Sequence, residues 1–186
     1  MQANDLRPGK AVMLQGQIYL VLEFEHHTPG NKRAFIQVTL RAVKTGKLLQ
    51  QKFSSTEAIE EVDLEAKKAQ YLYHDASGYH FMDLEDYHSF ALQDEMITDK
   101  KNYLKENDEV TIEFHDGNPI TVEVPNHVYL KIVESPPWVR GDSVSNNMKP
   151  AVCETGLKVQ VPIFIDEGTE IKVNTDTGEY TGRAKE

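Results

Sequence analysis

The chain is 186 residues long and 39% hydrophobic, which leaves room for one large domain or several small ones and enough apolar material for packed cores. No apolar run approaches the ~18 residues of a membrane-crossing helix, and the opening Met-Gln-Ala-Asn-Asp-Leu-Arg lacks the apolar centre of a signal peptide. The lone Cys153 excludes an internal disulfide and suits a reducing, cytoplasmic setting; without a Cys/His framework around it, it reads as a small packing residue rather than a nucleophile.

A net charge of -10 argues at first against a nucleic-acid partner, but the charge is unevenly spread. Residues 1–62 carry 8 basic and 6 acidic groups, residues 63–126 carry 5 and 15, and residues 127–186 carry 7 and 9. A polyanion would be drawn to the first segment and repelled by the second. The acidic middle serves equally as a solubilising surface.

Strand signals dominate from the start. Ile18, Leu20, Leu22 and Phe24 alternate with Gln17, Tyr19, Val21 and Glu23, which predicts one apolar face. Ile36, Val38, Leu40 and Ala42 repeat the period of two, and Lys44-Thr-Gly-Lys47 reads as a tight turn before Leu48, Leu49 and Phe53. Residues 1–62 are therefore expected to form a small, strongly bent barrel.

The loop His26-His-Thr-Pro-Gly-Asn-Lys-Arg33 joins the two long strands of that segment. Pro29-Gly30 predicts a type II turn, with Pro fixing one φ and Gly accepting a positive one. Lys32 and Arg33 are expected to project from it. On these residues alone the loop is an ordinary solvated hairpin end, and His26 and His27 lack partners at metal-ligand spacing.

The middle segment, 63–126, also reads as β. Tyr71-Leu-Tyr-His leads through an Asp75–Gly78 turn to Tyr79-His-Phe-Met, and Asp116-Gly117 marks a hairpin between Val110-Thr-Ile-Glu-Phe and Ile120-Thr-Val-Glu-Val. A short helix is expected between residues 98 and 106. In the last segment, 127–186, strands are expected at 128–134, 158–162, 170–174 and 179–183. Leu157, Val159 and Val161 share one face there; Pro162 limits pairing, and Gly168 permits the next turn. Neither boundary carries a Gly/Ser linker, so the domains should pack end to end.

Arg140-Gly-Asp-Ser143 lies early in the last segment. Asp142 and Ser143 are turn formers that cap their own backbone, and Trp138 before them either packs on the preceding barrel or stacks on a base.

The run Lys149-Pro-Ala-Val-Cys-Glu-Thr-Gly-Leu-Lys-Val-Gln-Val-Pro-Ile-Phe-Ile-Asp-Glu-Gly168 follows the pattern K-x-A-x4-G-x2-V-x-V-P-x2-I-x2-G, which resembles the signature of bacterial elongation factor P. Asp5-Leu-Arg-Pro-Gly, Ala34-Phe35, Tyr71-Leu-Tyr, His80-Phe-Met and Pro125-Asn126 fall in the same family order, so the resemblance spans essentially the whole chain.

The resemblance implies an all-β protein of three small barrels in an L-shaped, tRNA-like arrangement. Residues 1–62 would form an SH3/KOW-like barrel, followed by OB-like barrels over 63–126 and 127–186. It implies a cytoplasmic, monomeric translation elongation factor that binds ribosomal RNA of both subunits beside the P-site peptidyl-tRNA and relieves stalling at consecutive prolines. It implies no membrane, no cofactor, no metal and no catalysis of its own.

In the family the first barrel's hairpin reaches the peptidyl transferase centre, with a tip of the form P-G-K-G-x-A-F whose lysine is extended by a modifying enzyme. Here the matching stretch is Pro29-Gly30-Asn31-Lys32-Arg33-Ala34-Phe35. Asn31 stands where the lysine is expected and Lys32 follows it: either a shifted loop presents Lys32, the candidate modification site, or Lys32 and Arg33 act unmodified, or the chain is a divergent member of the family. The arginine-tipped branch does not match either, because Arg33 comes two places late.

Gly141, Asp142 and Ser143 resemble the family's G-D-T loop, associated with reading the D-arm of tRNA, and Arg140 just before them joins them as a tRNA-contact candidate; Ser143 keeps the hydroxyl of threonine. Gly178-Glu-Tyr-Thr-Gly-Arg183 resembles the family's G-E-Y-x-x-R ending, which makes Tyr180 and Arg183 further RNA-contact candidates.

An enzyme would need a nucleophile motif, a phosphate-cradling glycine loop or metal spacing, and none is found; Asp83, Glu85 and Asp86 read as a solvated face. A tandem OB protein holding single-stranded RNA would call for aromatic residues on a basic groove, and the middle segment is acidic; a paralogue with the same fold and a narrower set of client messages is the third reading, and only the departure at the tip points to it.

Overall fold

The computed structural model describes residues 1–30, 33–137 and 147–184. Three antiparallel five-stranded sheets follow one another along the chain, each curled round its own core. The first contains β1 (Ala11–Leu14), β2 (Gln17–His27), β3 (Phe35–Ala42), β4 (Leu48–Ser54) and β5 (Glu60–Val62), in the order β4-β3-β2-β1-β5. The second contains β6 (Glu65–Asp75), β7 (Gly78–Asp83), β8 (Ser89–Leu92), β9 (Glu109–His115) and β10 (Asn118–Glu123), ordered β10-β9-β6-β7-β8. The third contains β11 (His127–Glu134), β12 (Met148–Cys153), β13 (Lys158–Pro162), β14 (Glu170–Asn174) and β15 (Tyr180–Arg183), ordered β13-β12-β11-β14-β15. The all-β, small-barrel expectation is met.

Period-two alternation explains most of the packing. Ile36, Val38 and Leu40 of β3 are buried in the first core, and Phe35, Gln37 and Thr39 turn outward. Val159 and Val161 of β13 point into the third core while Lys158 and Gln160 are exposed. β13 is an edge strand, which is why Pro162 is tolerated opposite Met148. At the β9–β10 turn Asp116 and Gly117 have φ of 48° and 75°, the two positive values a type I′ hairpin requires.

β2 departs from its expected single face. Its register with β3 slips between Val21 and Glu23, a bulge at Leu22. Before the bulge Tyr19 and Val21 face the first core; after it Phe24 does. The extra residue flips the parity, so Ile18 and Leu20 do not share a face with Phe24. They pack instead with Val43, Val62 and Ile120, in a cluster joining the first barrel to the second.

That joint is reinforced on either side. Arg41 of β3 is buried and ion-paired to Asp99 of the second barrel. Gly46, with φ of +66°, sits so close to Glu95 that a Cβ would fall 2.6 Å from its carbonyl oxygen.

The helix expected between residues 98 and 106 is absent. A 3₁₀ turn, Lys101–Tyr103, stands in its place. Its residues are committed elsewhere: the Thr155 hydroxyl donates to the Asn102 carbonyl at 2.6 Å, and Tyr103 packs against the third core. Thr175 adds a hydroxyl bond of 2.7 Å to the Pro125 carbonyl across the same joint.

Candidate functional site

The most extended feature of the first barrel is the β2–β3 hairpin. β1 pairs with β2 only over Gln17–Leu20, so the end of β2 runs beyond it and is held by β3 alone. The last rungs are His26 with Ile36 and His27 with Phe35. β3 is covered on its other side by β4 out to the same rung, where Phe35 faces Ser54. Three strands therefore carry the loop, which stiffens its base against bending.

At the loop itself Thr28, Gly30 and Arg33 are exposed, and Pro29 and Ala34 are half-buried. Gly30 does not adopt a positive φ, so the expected type II turn at Pro29-Gly30 does not form. Among the described residues nothing lies within 4 Å of where a Cβ on Gly30 would stand. Asn31 and Lys32 lie outside the described residues.

Beside the loop is a cluster that the sequence reading missed. The His27 and Phe35 rings stack with centroids 4.9 Å apart and planes 15° from parallel. The Lys52 ammonium of β4 lies 5.2 Å from the centre of the Phe35 ring. The His27 Nε2 is 3.0 Å from Glu25 Oε2, which fixes the imidazole. One signal was available: with Ile36, Val38 and Leu40 inside, Phe35 had to face outward.

The second group of expected residues lies on the third sheet. Tyr180 is opposite Val173 and half-buried against the core, so much of its ring serves packing. Arg183 is exposed at the end of β15, its guanidinium carbon 5.0 Å above the ring of Phe164. Phe164 is itself 60% exposed, another residue the sequence reading did not single out. Trp138, Arg140, Gly141, Asp142 and Ser143 lie outside the described residues. Tyr180 and Arg183 stand on a different sheet from the hairpin loop.

Two places resemble reactive chemistry and do not have its geometry. Ser77 Oγ, His80 Nε2 and Asp75 Oδ1 meet within 2.6–3.0 Å in the β6–β7 turn. The Ser77 hydroxyl and the Asp75 carboxylate meet the same His80 nitrogen, Nε2, and the hydroxyl also donates to that carboxylate oxygen, so no relay runs from acid through the two ring nitrogens to a nucleophile. The Ser77 hydroxyl and then His80 hold the Asp75 carboxyl well below the usual carboxylate range, the signature of a turn network. Cys153 is buried in the third core; burial, with Glu154 nearby, pushes its thiol up to about 11, away from thiolate chemistry. Among the described residues no group of three or more His, Cys, Asp or Glu side chains could hold a metal ion.

Comparison with known proteins matches the three sheets to three family models. These are the elongation factor P KOW-like domain over residues 2–59, the elongation factor P OB domain over 64–122 and the elongation factor P C-terminal domain over 128–183. Elongation factor P of Thermotoga maritima is 48% identical over 184 residues, which cover 99% of this chain and 100% of the relative. Elongation factor P of Kosmotoga olearia is 44% identical over 184 residues with the same coverage. Among solved structures, eukaryotic translation initiation factor 5A from Methanococcus jannaschii is similar with a TM-score of 0.44 and 21% identity, over 66% of this chain and 92% of that one.

Proposed function

The chain belongs to the elongation factor P family and is a translation elongation factor; from that premise we propose that it binds the ribosome beside the P-site peptidyl-tRNA and promotes peptide-bond formation where consecutive prolines stall it. The observation that carries this reading is the β2–β3 hairpin, which runs past β1, is braced by β4 and has an exposed Arg33 at its end.

A slow peptidyl transfer between prolines suffers from badly placed reacting ends. A cation on a stiff support, touching RNA phosphate near the end of the peptidyl-tRNA, lowers the entropic part of that barrier by positioning. Pro29, Gly30, Asn31, Lys32 and Arg33 form the tip in this reading, and Lys32 is the residue a modifying enzyme would extend. The ribosome supplies the chemistry, and the protein supplies no nucleophile and no base. Arg140, Gly141, Asp142, Ser143, Tyr180 and Arg183 are the proposed tRNA contacts of the last barrel. The division at 1–62, 63–126 and 127–186, a cytoplasmic location and a monomeric state belong to the same reading. The separate sheets support the division, and no helix among the described residues is long and apolar enough to cross a membrane.

Asn31 at the expected lysine position favours a second reading, a paralogue with a narrower set of client messages. One experiment addresses both. A reconstituted translation system lacking its own factor is given a message encoding Pro-Pro-Pro, with and without the purified, unmodified protein. Restored full-length peptide supports the main reading with an unmodified tip. No restoration, even after the tip has been modified, overturns it in favour of the paralogue.

A further inference from the structure

A cavity of about 750 Å³ lies where the three barrels meet, away from the hairpin loop. Leu20 and Val21 of β2, Arg41 of β3 and Thr121 of β10 line it and are all buried. The same cavity has one exposed carboxylate from each barrel: Glu23 from the first, Glu123 from the second and Asp176 from the third. None of the three makes an ion pair among the described residues, although Glu23 accepts a hydrogen bond from the Thr39 hydroxyl. With Asp99 they set four lining carboxylates against two lining cations, Arg41 and Lys100. Arg41 is taken by Asp99. Burial and then Glu123 raise the Glu113 carboxyl while Lys100 opposes them, so the Lys100 charge is felt at Glu113, opposite Thr121 in the β9–β10 register.

A second, independent feature is the Thr121 hydroxyl. Val122 packs into the second core, so Thr121 turns the other way, toward the cavity it lines. Thr121 is 4% exposed, and its Oγ1 has no hydrogen-bond partner among the described residues. A buried hydroxyl left unpaired is costly, and a donor arriving in the cavity would relieve that cost. Tyr103 reaches the same cavity with its hydroxyl 3.1 Å from where a Cβ on Gly178 would stand; burial, then Asp176, then Asp99 raise that hydroxyl above its ordinary value. The excess of carboxylate disfavours an anion. Among the described residues no three His, Cys, Asp or Glu side chains come together to hold one metal ion, so the acids are too spread for a compact cation. A short aliphatic chain carrying separated ammonium groups suits both the charge and the spread. We propose that this three-barrel cavity binds a linear di- or polyamine, its ammonium groups meeting Glu23, Glu123 and Asp176 and one N–H donating to Thr121 Oγ1. Its methylenes would lie along Leu20 and Val21, and the bound molecule would tie the three barrels into one arrangement.

The test is a calorimetric titration of the full chain with spermidine at physiological ionic strength, with magnesium chloride as a second titrant. Saturable binding of spermidine to one site is expected, and magnesium should not reproduce it. Glu23→Gln, Glu123→Gln and Asp176→Asn should each weaken binding about two- to fivefold, the effect of one exposed charge pair. Glu85→Gln, which removes an exposed acid outside the cavity, should leave binding unchanged. Thr121→Val keeps the shape of the side chain and should weaken binding about tenfold, through the lost hydrogen bond to a charged group. Without spermidine this variant should unfold at no lower urea concentration than the wild type, since the hydroxyl it loses has no partner. Spermidine should raise the urea midpoint of the wild type more than that of Thr121→Val. Absence of saturable binding, equal binding of magnesium, or equal weakening by Glu85→Gln would reduce the effect to diffuse attraction to an acidic protein and overturn the proposal. Spermidine affinity unchanged in Thr121→Val would overturn it as well.

Discussion

Arg41 of the first barrel is 4% exposed and its ion-pair partner, Asp99 of the second, is 42% exposed, so the pair is buried on one side only. The two halves should not be equivalent under mutation. Removing Asp99 leaves a guanidinium in a dry joint with no counter-charge, whereas removing Arg41 leaves a carboxylate that water can reach. Asp99→Ala is expected to destabilise by about 1–3 kcal/mol and Arg41→Met by less, the burial of one partner only keeping both below the cost of breaking a fully buried pair. Urea unfolding of both single variants and the double variant checks this. If Arg41→Met were the costlier, the asymmetry argument would be wrong.

Gly46 is constrained twice, by a φ of +66° and by the Glu95 carbonyl oxygen 2.6 Å from where a Cβ would stand. Gly16 provides the control: its φ is +75° and nothing lies within 4 Å. Gly16→Ala should therefore cost only the left-handed strain, roughly 1 kcal/mol. Gly46→Ala should cost roughly 1–2 kcal/mol more, because the Glu95 backbone must also move. Equal midpoints in urea for the two variants would show that the barrels part freely at this point.

The limits of the sequence reading have identifiable physical causes. Ile36, Val38 and Leu40 were legible because β3 has a regular pleat and one dry side. β2 was misread because the bulge at Leu22 reverses its parity, and because Ile18 and Leu20 bury against a neighbouring barrel that a single strand's pattern does not announce. Residues 98–106 have helical preferences, yet tertiary partners claim Asn102 and Tyr103 first. The loop residues Pro29 to Arg33 could be found from a motif. The His27–Phe35–Lys52 stack could not, since it depends on the β3–β4 register.

Two buried acids should make the fold sensitive to alkali. Burial pushes the Cys153 thiol up to about 11 from an ordinary 9.0. It also pushes the Tyr71 hydroxyl up to about 12 from 10.0, with Tyr79 and Glu106 adding to the effect. Both groups hold their protons more tightly folded than unfolded. Above their ordinary values the unfolded chain therefore binds fewer protons, and stability falls with rising pH. The contribution is complete below pH 9, declines from 9 to 11 through Cys153 and continues to 12 through Tyr71. Cys153→Ala should flatten the first part of that decline in urea midpoints taken at stepped pH, at a cost in core packing that is the same at every pH. An unchanged slope between pH 9 and 11 would remove Cys153 from the account.

The tip makes the sharpest functional prediction, because binding and rescue should separate there. Lys32 and Arg33 are two of the 8 basic residues in the first 62, so much of the electrostatic attraction to RNA survives the loss of either. Each of Lys32→Ala and Arg33→Ala should reduce the salt dependence of ribosome binding by about one phosphate contact, a change of roughly 0.7–0.9 in the slope of log affinity against log salt. Rescue of Pro-Pro-Pro synthesis should respond differently. A positional effect is lost when the positioning charge is lost, so Lys32→Ala should lower the rate of the stalled step by at least about tenfold at saturating protein. Lys32→Arg keeps the charge and changes its shape, so partial activity is expected from it. Single-turnover peptide-bond formation on ribosomes saturated with each variant distinguishes the cases. Equal loss of binding and rescue would mean that Lys32 serves only to attach the protein, and an unaffected rate would shift the positioning role to Arg33 or to the stack beneath it.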